Sequence, residues 1–448
     1  MTIVHGPGVG LPADLTANAG RELYDLVAEL YPICRSITGD GVRQTLGIIG
    51  RQIDLDIHEV PSGTEVFDWT VPREWNIRDA WVANAAGERV IDFRACNLHV
   101  VSYSVPVRAT LPLAELKEHL FTLPEHPDWI PYRTSYYSES WGFCASQRLV
   151  DSLPDGDYEV CVDATLADGH LTYGEHLVEG QTADEVLVTC HVCHPSLAND
   201  NLSGIAVASR LARLLAQSRP RWSYRFLFIP GTIGSITWLA RNEDRADRIR
   251  HGLVLACVGD PGQLTYKRSR RGDAEIDRAM AHVLRASGRP HGIVDFSPYG
   301  YDERQFCSPG FNLPVGCLSR TPYARYPEYH TSADDLGMVA PEHLQDTLDT
   351  CWEVLGVLEA NRSYLNLRPK CEPQLGKRGL YGSIGGRSDA QERQMAMLWV
   401  LNLSDGEHSL LDVAERSALP FALVAEVARS LEDAGLLAAL PLSSPGPR

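Results

Sequence analysis

The stretch from Glu185 to Leu211, EVLVTCHVCHPSLANDNLSGIAVASRL, constrains the fold more than any other part of the chain. Val186, Leu187 and Val188 form the continuous apolar run of a strand buried on both faces. His191, Cys193 and His194 follow within four residues. A turn containing Pro195, Ser196 and Asn199 leads to Asp200, Asn201, Ser203 and Gly204. An apolar helix pattern then resumes at Ile205, Val207, Ala208 and Leu211. Imidazole, thiol and carboxylate are thereby crowded where a strand ends and a helix begins, the place where open α/β sheets build their sites. His and Asp are ordinary zinc ligands, and a catalytic zinc takes about three protein ligands and keeps one position open. A lone His at a strand end is usually a structural hydrogen-bonder. Two His, a Cys and an Asp in one turn read equally as a metal site.

A chain of 448 residues is too long for one ordinary domain and predicts two or three. Its 44% hydrophobic and 22% charged residues are those of a soluble globular protein. A formal net charge of −17 disfavours nucleic acid and anionic membrane as bulk partners. No apolar run approaches the roughly 18 residues of a membrane span. The opening MTIVHGPGVGLPADL has neither a basic segment nor an apolar core of a secretory signal. The 11 scattered cysteines then read as mostly reduced thiols in a cytoplasmic protein.

Leu23, Leu26, Val27 and Leu30 have helical spacing, and a second helix is expected over Val42–Ile49. IDLDIHEV alternates as a half-buried strand does. From Thr64 to Tyr137 the chain is dense in Trp, Tyr and Pro, which predicts an inserted, β-rich small domain over 64–137. YEVCVDATLADGHLTYGEHLVEG reads as a hairpin about Asp168-Gly169. YRFLFIP, GLVLACVG and LPVGCLSR read as buried strands, with helices over Ala274–Leu284 and Glu342–Leu358. This alternation predicts an α/β core, a mixed sheet flanked by helices, over 1–63 and 138–384. The tail, 385–448, gives a helix, a polar break at SDGEHS, a short helix, a turn at Leu419-Pro420 and a last helix. That is the order of a winged helix-turn-helix. Its last helix offers Glu426, Arg429, Glu432 and Asp433, a net negative face that repels phosphate. A protein–protein or self-association role is expected instead, with a homo-oligomer formed through the insert or through this winged helix.

Far downstream, YPEYHTSADDLGMV places His330 in a loop ahead of a helix. HxC…NDNLSG followed by YHTSADDL resembles the zinc-dependent aminopeptidase superfamily, which includes leucyl aminopeptidases and glutaminyl cyclases. WGFC, CHPSLANDNLSG and PYARYPEYHTSADD are similar to bacterial aminopeptidase-like proteins with an inserted small domain and a C-terminal winged helix, which occur beside biosynthetic genes. The resemblance implies a zinc-exopeptidase-like fold and a metal held by His191, Asp200 and His330. His194 is either a reserve ligand or a group that supports the ligands.

The chain departs from that pattern in one respect that bears on chemistry. The superfamily carries adjacent glutamates after the next strand, but here the segment is FIPGTIGSITWL, with no Asp or Glu between Asp200 and Glu243. The metal-binding Asp expected after the following strand is replaced by Cys257, with Asp260 slightly later. One zinc per chain is therefore expected rather than two. Amide hydrolysis also needs a proton carrier, and SPYGYDERQF offers Glu303 first, with Asp302 beside it, while Asp260 is the next candidate. Arg268, in the basic run KRSRRGD, and Arg304, Tyr301 and Tyr326 are the expected contacts to a peptide or small-molecule substrate. The implied activity is zinc-dependent, aminopeptidase-like hydrolysis of an amide. The alternatives are a cyclase or amide-forming enzyme on the same scaffold, or a silent metal-containing binding protein.

Overall fold

The computed structural model describes residues 18–380 and 388–440. The chain divides into two compact units. One runs to Asp277 and resumes over Pro290–Asp349, and the other comprises Arg278–Arg289 and the chain from Thr350. The boundary expected at 384/385 lies outside the described residues.

The first unit opens with helix α1, Ala19–Leu30, which buries Leu23, Leu26, Val27 and Leu30 as their spacing predicts. Helix α2, Asp40–Ile49, begins two residues earlier than expected. It is entered through Gly39 at φ +97, where a Cβ would stand 2.2 Å from the Trp75 carbonyl oxygen, so only glycine fits.

Eight strands form the main sheet. They are β1 (Asp56–Pro61), β2 (His170–Val178), β3 (Glu185–His191), β4 (Ser223–Ile229), β5 (Ile249–Leu255), β6 (Leu264–Lys267), β7 (His291–Val294) and β8 (Val315–Ser319). The spatial order is β1-β2-β4-β3-β5-β8-β6-β7. The centre is parallel, with β3 between β4 and β5 and β5 beside β8. β1, β2 and β6 introduce antiparallel pairings. Every residue of β3 and of β4 is buried, which explains their unbroken apolar runs. Helices α3 (Gly204–Leu215) and α4 (Ile233–Arg241) alternate with the strands, while α5 (Glu275–Ala286) and α6 (Pro341–Ala360) each begin in the first unit and end in the second.

Within β4, the one charged residue is Arg225. It is 3% exposed and donates to both Glu185 oxygens at 2.6 and 2.7 Å and to Glu175. A buried charge is tolerated because it is paired and hydrogen-bonded.

The expected hairpin about Asp168-Gly169 does not form. Asp157–Ala167 lies between Glu74–Ala83 and Val107–Pro112 in a separate four-stranded sheet. β2 lies between β1 and β4. Both strands already have both edges occupied, so the turn hands the chain from one sheet to the other. For the same reason the small sheet is not made from 64–137 alone, because one of its inner strands comes from Asp157–Ala167.

In the second unit, helices α7 (Ser388–Leu403), α8 (Leu410–Ser417) and α9 (Phe421–Asp433) accompany a three-stranded antiparallel sheet. Its middle strand is Ser363–Asn366, upstream of the expected start at 385. The segment expected as a polar break is strand Asp405–Ser409, held by pairing to Ser363–Asn366 despite weak intrinsic preference. Ser409 and Asp412 form a capping box at the start of α8. Among the described residues, no helix is long and apolar enough to cross a membrane.

Candidate metal centre

β3 ends on His191, so the imidazole emerges at the C-terminal edge of the parallel centre of the sheet. The turn that follows is fastened from several sides. Arg35, 1% exposed, donates from Nε to the His194 carbonyl at 2.7 Å and from Nη2 to the Pro195 carbonyl at 2.8 Å. The Asp334 carboxylate accepts the N–H groups of Asn199 at 2.6 Å and Asp200 at 3.0 Å. Burial pushes the Asp334 carboxyl up to about 8, against those two N–H donors. Asp260 accepts the Asn199 amide at 3.0 Å. Asn201 bridges to the end of β5 by donating to the Leu255 carbonyl and accepting the Cys257 N–H. Asp334, Asp260, Asn201 and Arg35 hold the loop. The sequence reading gave none of them this role, although Asp334 stands in the same motif as His330.

Asp200 is fully buried and three imidazoles converge on its carboxylate. His191 Nε2 is 2.9 Å from Oδ1, His330 Nε2 is 3.0 Å from Oδ2, and His194 Nε2 is 3.8 Å from Oδ2. The ligand atoms of His191, His194 and Asp200 lie within 4.8 Å of one another. The structure therefore brings His194 into the same group as the three residues expected from the motif. Burial alone would raise the Asp200 carboxyl, but the charge of His194 and the contacts with His191 and His330 hold it well below the usual carboxylate range. Burial drives the His194 imidazole well below its ordinary value, and Asp200 opposes this.

Asp200 Oδ2 and His330 Nε2 are buried and neither has a hydrogen-bond partner, for the 3.0 Å approach lacks hydrogen-bond geometry. Buried polar atoms are normally satisfied. An anionic oxygen and an imidazole nitrogen, both free and facing one another, fit a divalent cation of zinc's type. Cys257, at the place of the missing Asp, is turned to other partners. Its Sγ is 2.9 Å from the Tyr301 hydroxyl and 3.3 Å from that of Tyr326.

A cavity of about 240 Å³ opens on these groups, lined by His191, His194 and His330 together with Cys193, Thr232, Tyr299, Tyr301, Asp302 and Tyr323. Tyr301 stacks on His191 with centroids 5.1 Å apart. Tyr326 is buried behind, on Cys257, and does not line the cavity. A larger cavity of about 670 Å³, between Tyr31–Gln44 and Trp75–Asn97, contains no imidazole and is not the metal site.

The two carboxylate candidates exchange places. Glu303, expected first, is buried against Lys267 at 2.8 Å and does not line the cavity. Asp302 does. Its Oδ1 accepts the Thr232 N–H at 2.6 Å and the Ser235 hydroxyl at 2.8 Å. A carboxylate thus stands at the turn after β4, which carries none of its own, supplied from a distant segment. Arg304 donates to the Thr232 hydroxyl at 3.2 Å but does not itself line the cavity. Arg268 is not brought to the cavity. Its N–H donates to the carbonyl of Val294, the last residue of β7, and its guanidinium turns to Asp295 and the Gly272 carbonyl. Thr232, Cys257 and His330 all have left-handed backbones, at φ 64, 54 and 57. Such strain in non-glycine residues gathers at functional sites.

Residues 24–361 match the family described as a domain of unknown function, DUF4910. The chain belongs to that family. Residues 362–439 of this DUF4910 chain match a winged helix-turn-helix family, in agreement with a sheet that begins at Ser363. A Clostridium acetobutylicum protein is 54% identical over 422 residues, 94% of this chain and 97% of the relative. It carries the provisional name of a polysaccharide biosynthesis protein with an aminopeptidase-like domain. A crystal structure from C. acetobutylicum, provisionally described as a peptidase, aligns at TM-score 0.91 and 52% identity, covering 95% of this chain and 99% of that one. BSAP, a zinc aminopeptidase from Bacillus subtilis, aligns at TM-score 0.56 and 15% identity over 76% of this chain and 95% of its own. The fold is thus aminopeptidase-like, with a C-terminal winged helix.

Proposed function

We propose that this chain is a zinc-dependent hydrolase of an amide bond in a peptide or small aminoacyl metabolite. The observation that carries the reading is the convergence of His191, His194 and His330 on the buried Asp200 carboxylate, with two orphaned ligand atoms, at the floor of a cavity. His191, Asp200 and His330, with His194 in reach, would hold one zinc. When bound, zinc polarises an amide carbonyl and lowers the pKa of water towards about 7.

The remaining work falls to the chain. Asp302 lines the cavity and burial raises its carboxyl, with the Thr232 and Ser235 donors opposing. A carboxylate moved towards neutrality is suited to take a proton from water and return it to the leaving amine. Its bonds to Thr232 and Ser235 fix it in place. Tyr329 stacks on His330 with centroids 4.0 Å apart, and Tyr132 packs against both His194 and His330, so aromatic faces limit water around the imidazoles.

The name of the Clostridium relative supports a biosynthetic setting, and a cytoplasmic one suits the free thiols. The winged-helix unit is assigned to protein contacts, a second copy of this chain included, rather than to DNA. Exposed Glu426 and Asp433 on α9 outweigh Arg429, and Glu426 already pairs with Arg393.

Incubating the zinc-loaded full chain with aminoacyl arylamides and with N-terminal glutaminyl peptides tests the reading. Release of the arylamine is expected. Ring closure without hydrolysis would move the assignment to a cyclase, and persistent inactivity to a binding protein.

A further inference from the structure

We infer that Cys193 is the positioning residue that makes His194 a metal ligand. Its Sγ accepts the Nδ1–H of that imidazole and so leaves Nε2 as the basic nitrogen facing Asp200. The inference rests on the metal centre of the proposed function, and it assigns a role to the imidazole that the motif left open between ligand and support.

A neutral imidazole carries one proton, and a metal takes the nitrogen without it. Which nitrogen that is depends on what the other one meets. His194 Nε2 stands 3.8 Å from Asp200 Oδ2, beyond a hydrogen bond. A proton on Nε2 would therefore find no acceptor in that carboxylate. Nδ1 meets the Cys193 Sγ at 3.4 Å. With a metal on Nε2, the ring proton must sit on Nδ1, where the sulfur receives it.

The sulfur is already placed as an acceptor. It takes the Gly231 N–H at 3.1 Å, at the turn after β4. A Cβ on Gly231 would stand 3.3 Å from the Sγ, so the glycine lets that backbone come close. Cys193 is 2% exposed, and little water competes for its sulfur. The ring is held in this orientation as well. Tyr132, His191 and His330 surround it with centroids 5.2, 4.8 and 5.1 Å away, and Arg35 anchors its backbone carbonyl. Cys193 touches the nitrogen turned away from Asp200, so it acts through the imidazole and not on the metal. Partners of this kind fix the tautomer and raise the basicity of a ligating His.

Zinc affinity of the chelator-treated full chain, read by competition with a chromophoric chelator, tests this without catalysis. Cys193→Val fills the space without an acceptor and should weaken zinc binding about 10–100-fold, the usual worth of a group that orients a ligand. Cys193→Ala stands in for it if Cys193→Val does not fold. Cys193→Ser keeps an acceptor and should bind zinc more tightly than Cys193→Val. In a chain that already carries His194→Ala, adding Cys193→Val should change the affinity by less than about twofold, because the imidazole through which it acts is gone. A merely structural cysteine would not show that dependence. Cobalt in place of zinc should give no intense sulfur-to-metal charge-transfer band. Unchanged zinc affinity in Cys193→Val, an equal loss with and without His194, Cys193→Ser no tighter than Cys193→Val, or a charge-transfer band that Cys193→Val removes would each overturn the inference. Zinc bound in the expected pattern with no arylamide cleaved would sink the hydrolase reading alone, and failure of the unaltered chain to bind zinc would sink both.

Discussion

Asp302 Oδ1 accepts the backbone N–H of Thr232 at 2.6 Å, across 70 residues of sequence. This one contact puts a carboxylate at the turn after β4, where Pro230, Gly231, Thr232, Ile233, Gly234 and Ser235 supply none.

It follows that Asp302→Asn should lower arylamide turnover by about 10²–10⁴-fold, the usual worth of a positioned acid–base group, while zinc content is kept. Glu303→Gln should cost far less, since Glu303 faces Lys267 and not the cavity. Steady-state kinetics of the two variants with matched zinc content compare them. Loss of turnover in Glu303→Gln with Asp302→Asn unaffected would reverse the roles.

Asp200 is the residue that all three imidazoles share. Asp200→Asn keeps the shape and removes the charge, and should weaken zinc binding more than His191→Ala, His194→Ala or His330→Ala. Each of those should exceed the roughly 10–100-fold typical of a group that only orients a ligand. Competition with a chromophoric chelator measures all four. If zinc affinity is unchanged in all of them, the metal lies elsewhere.

Buried Arg225 joins β4 to Glu185 of β3 and Glu175 of β2. Arg225→Ala leaves two buried carboxylates without their cation, and should destabilise the fold by about 3–5 kcal/mol. Urea unfolding of the variant provides the check, and a change below about 1 kcal/mol would mean that the carboxylates find water or protons at little cost.

Glu74 gives a pH signature. Arg43, bonded to both its oxygens at 2.7 and 2.8 Å, holds the Glu74 carboxyl down to about 2 against burial, with help from the His170 N–H and the Asn76 amide. A carboxyl lowered in the folded state contributes stability above its ordinary pKa of about 4.3, and loses it as pH falls from about 5 towards 2. Glu74→Gln should therefore be less stable at pH 7 and show a shallower decline across that interval. Parallel urea midpoints for both proteins from pH 7 to pH 3 would contradict this.

How far the site could be read from sequence depended on how local each signal was. His191 and Asp200 were legible because a buried strand and a helix start fix their placement, and His330 because its motif is distinctive. Adjacent Asp302 and Glu303 face the cavity and Lys267 respectively, a choice that rests on Thr232 and Ser235 from a distant turn. Arg268 read as a ligand-binding cation, yet its N–H pairs with Val294 and its guanidinium is taken by Asp295 and the Gly272 carbonyl. The false hairpin failed for a similar reason. Asp168-Gly169 is a sound turn, but strand edges on both sides were taken by residues far away in sequence. Pairing across such distances leaves no local trace.

The central claim is that one metal on the Asp200 cluster drives amide hydrolysis, and a zinc titration of the chelator-treated full chain tests it most directly. Arylamide cleavage should rise linearly with added zinc and saturate at about one equivalent per chain, the number that three or four ligands on a single site can hold. Saturation at two equivalents, or zinc bound firmly at the His191, Asp200 and His330 cluster with no cleavage of any arylamide, would contradict it.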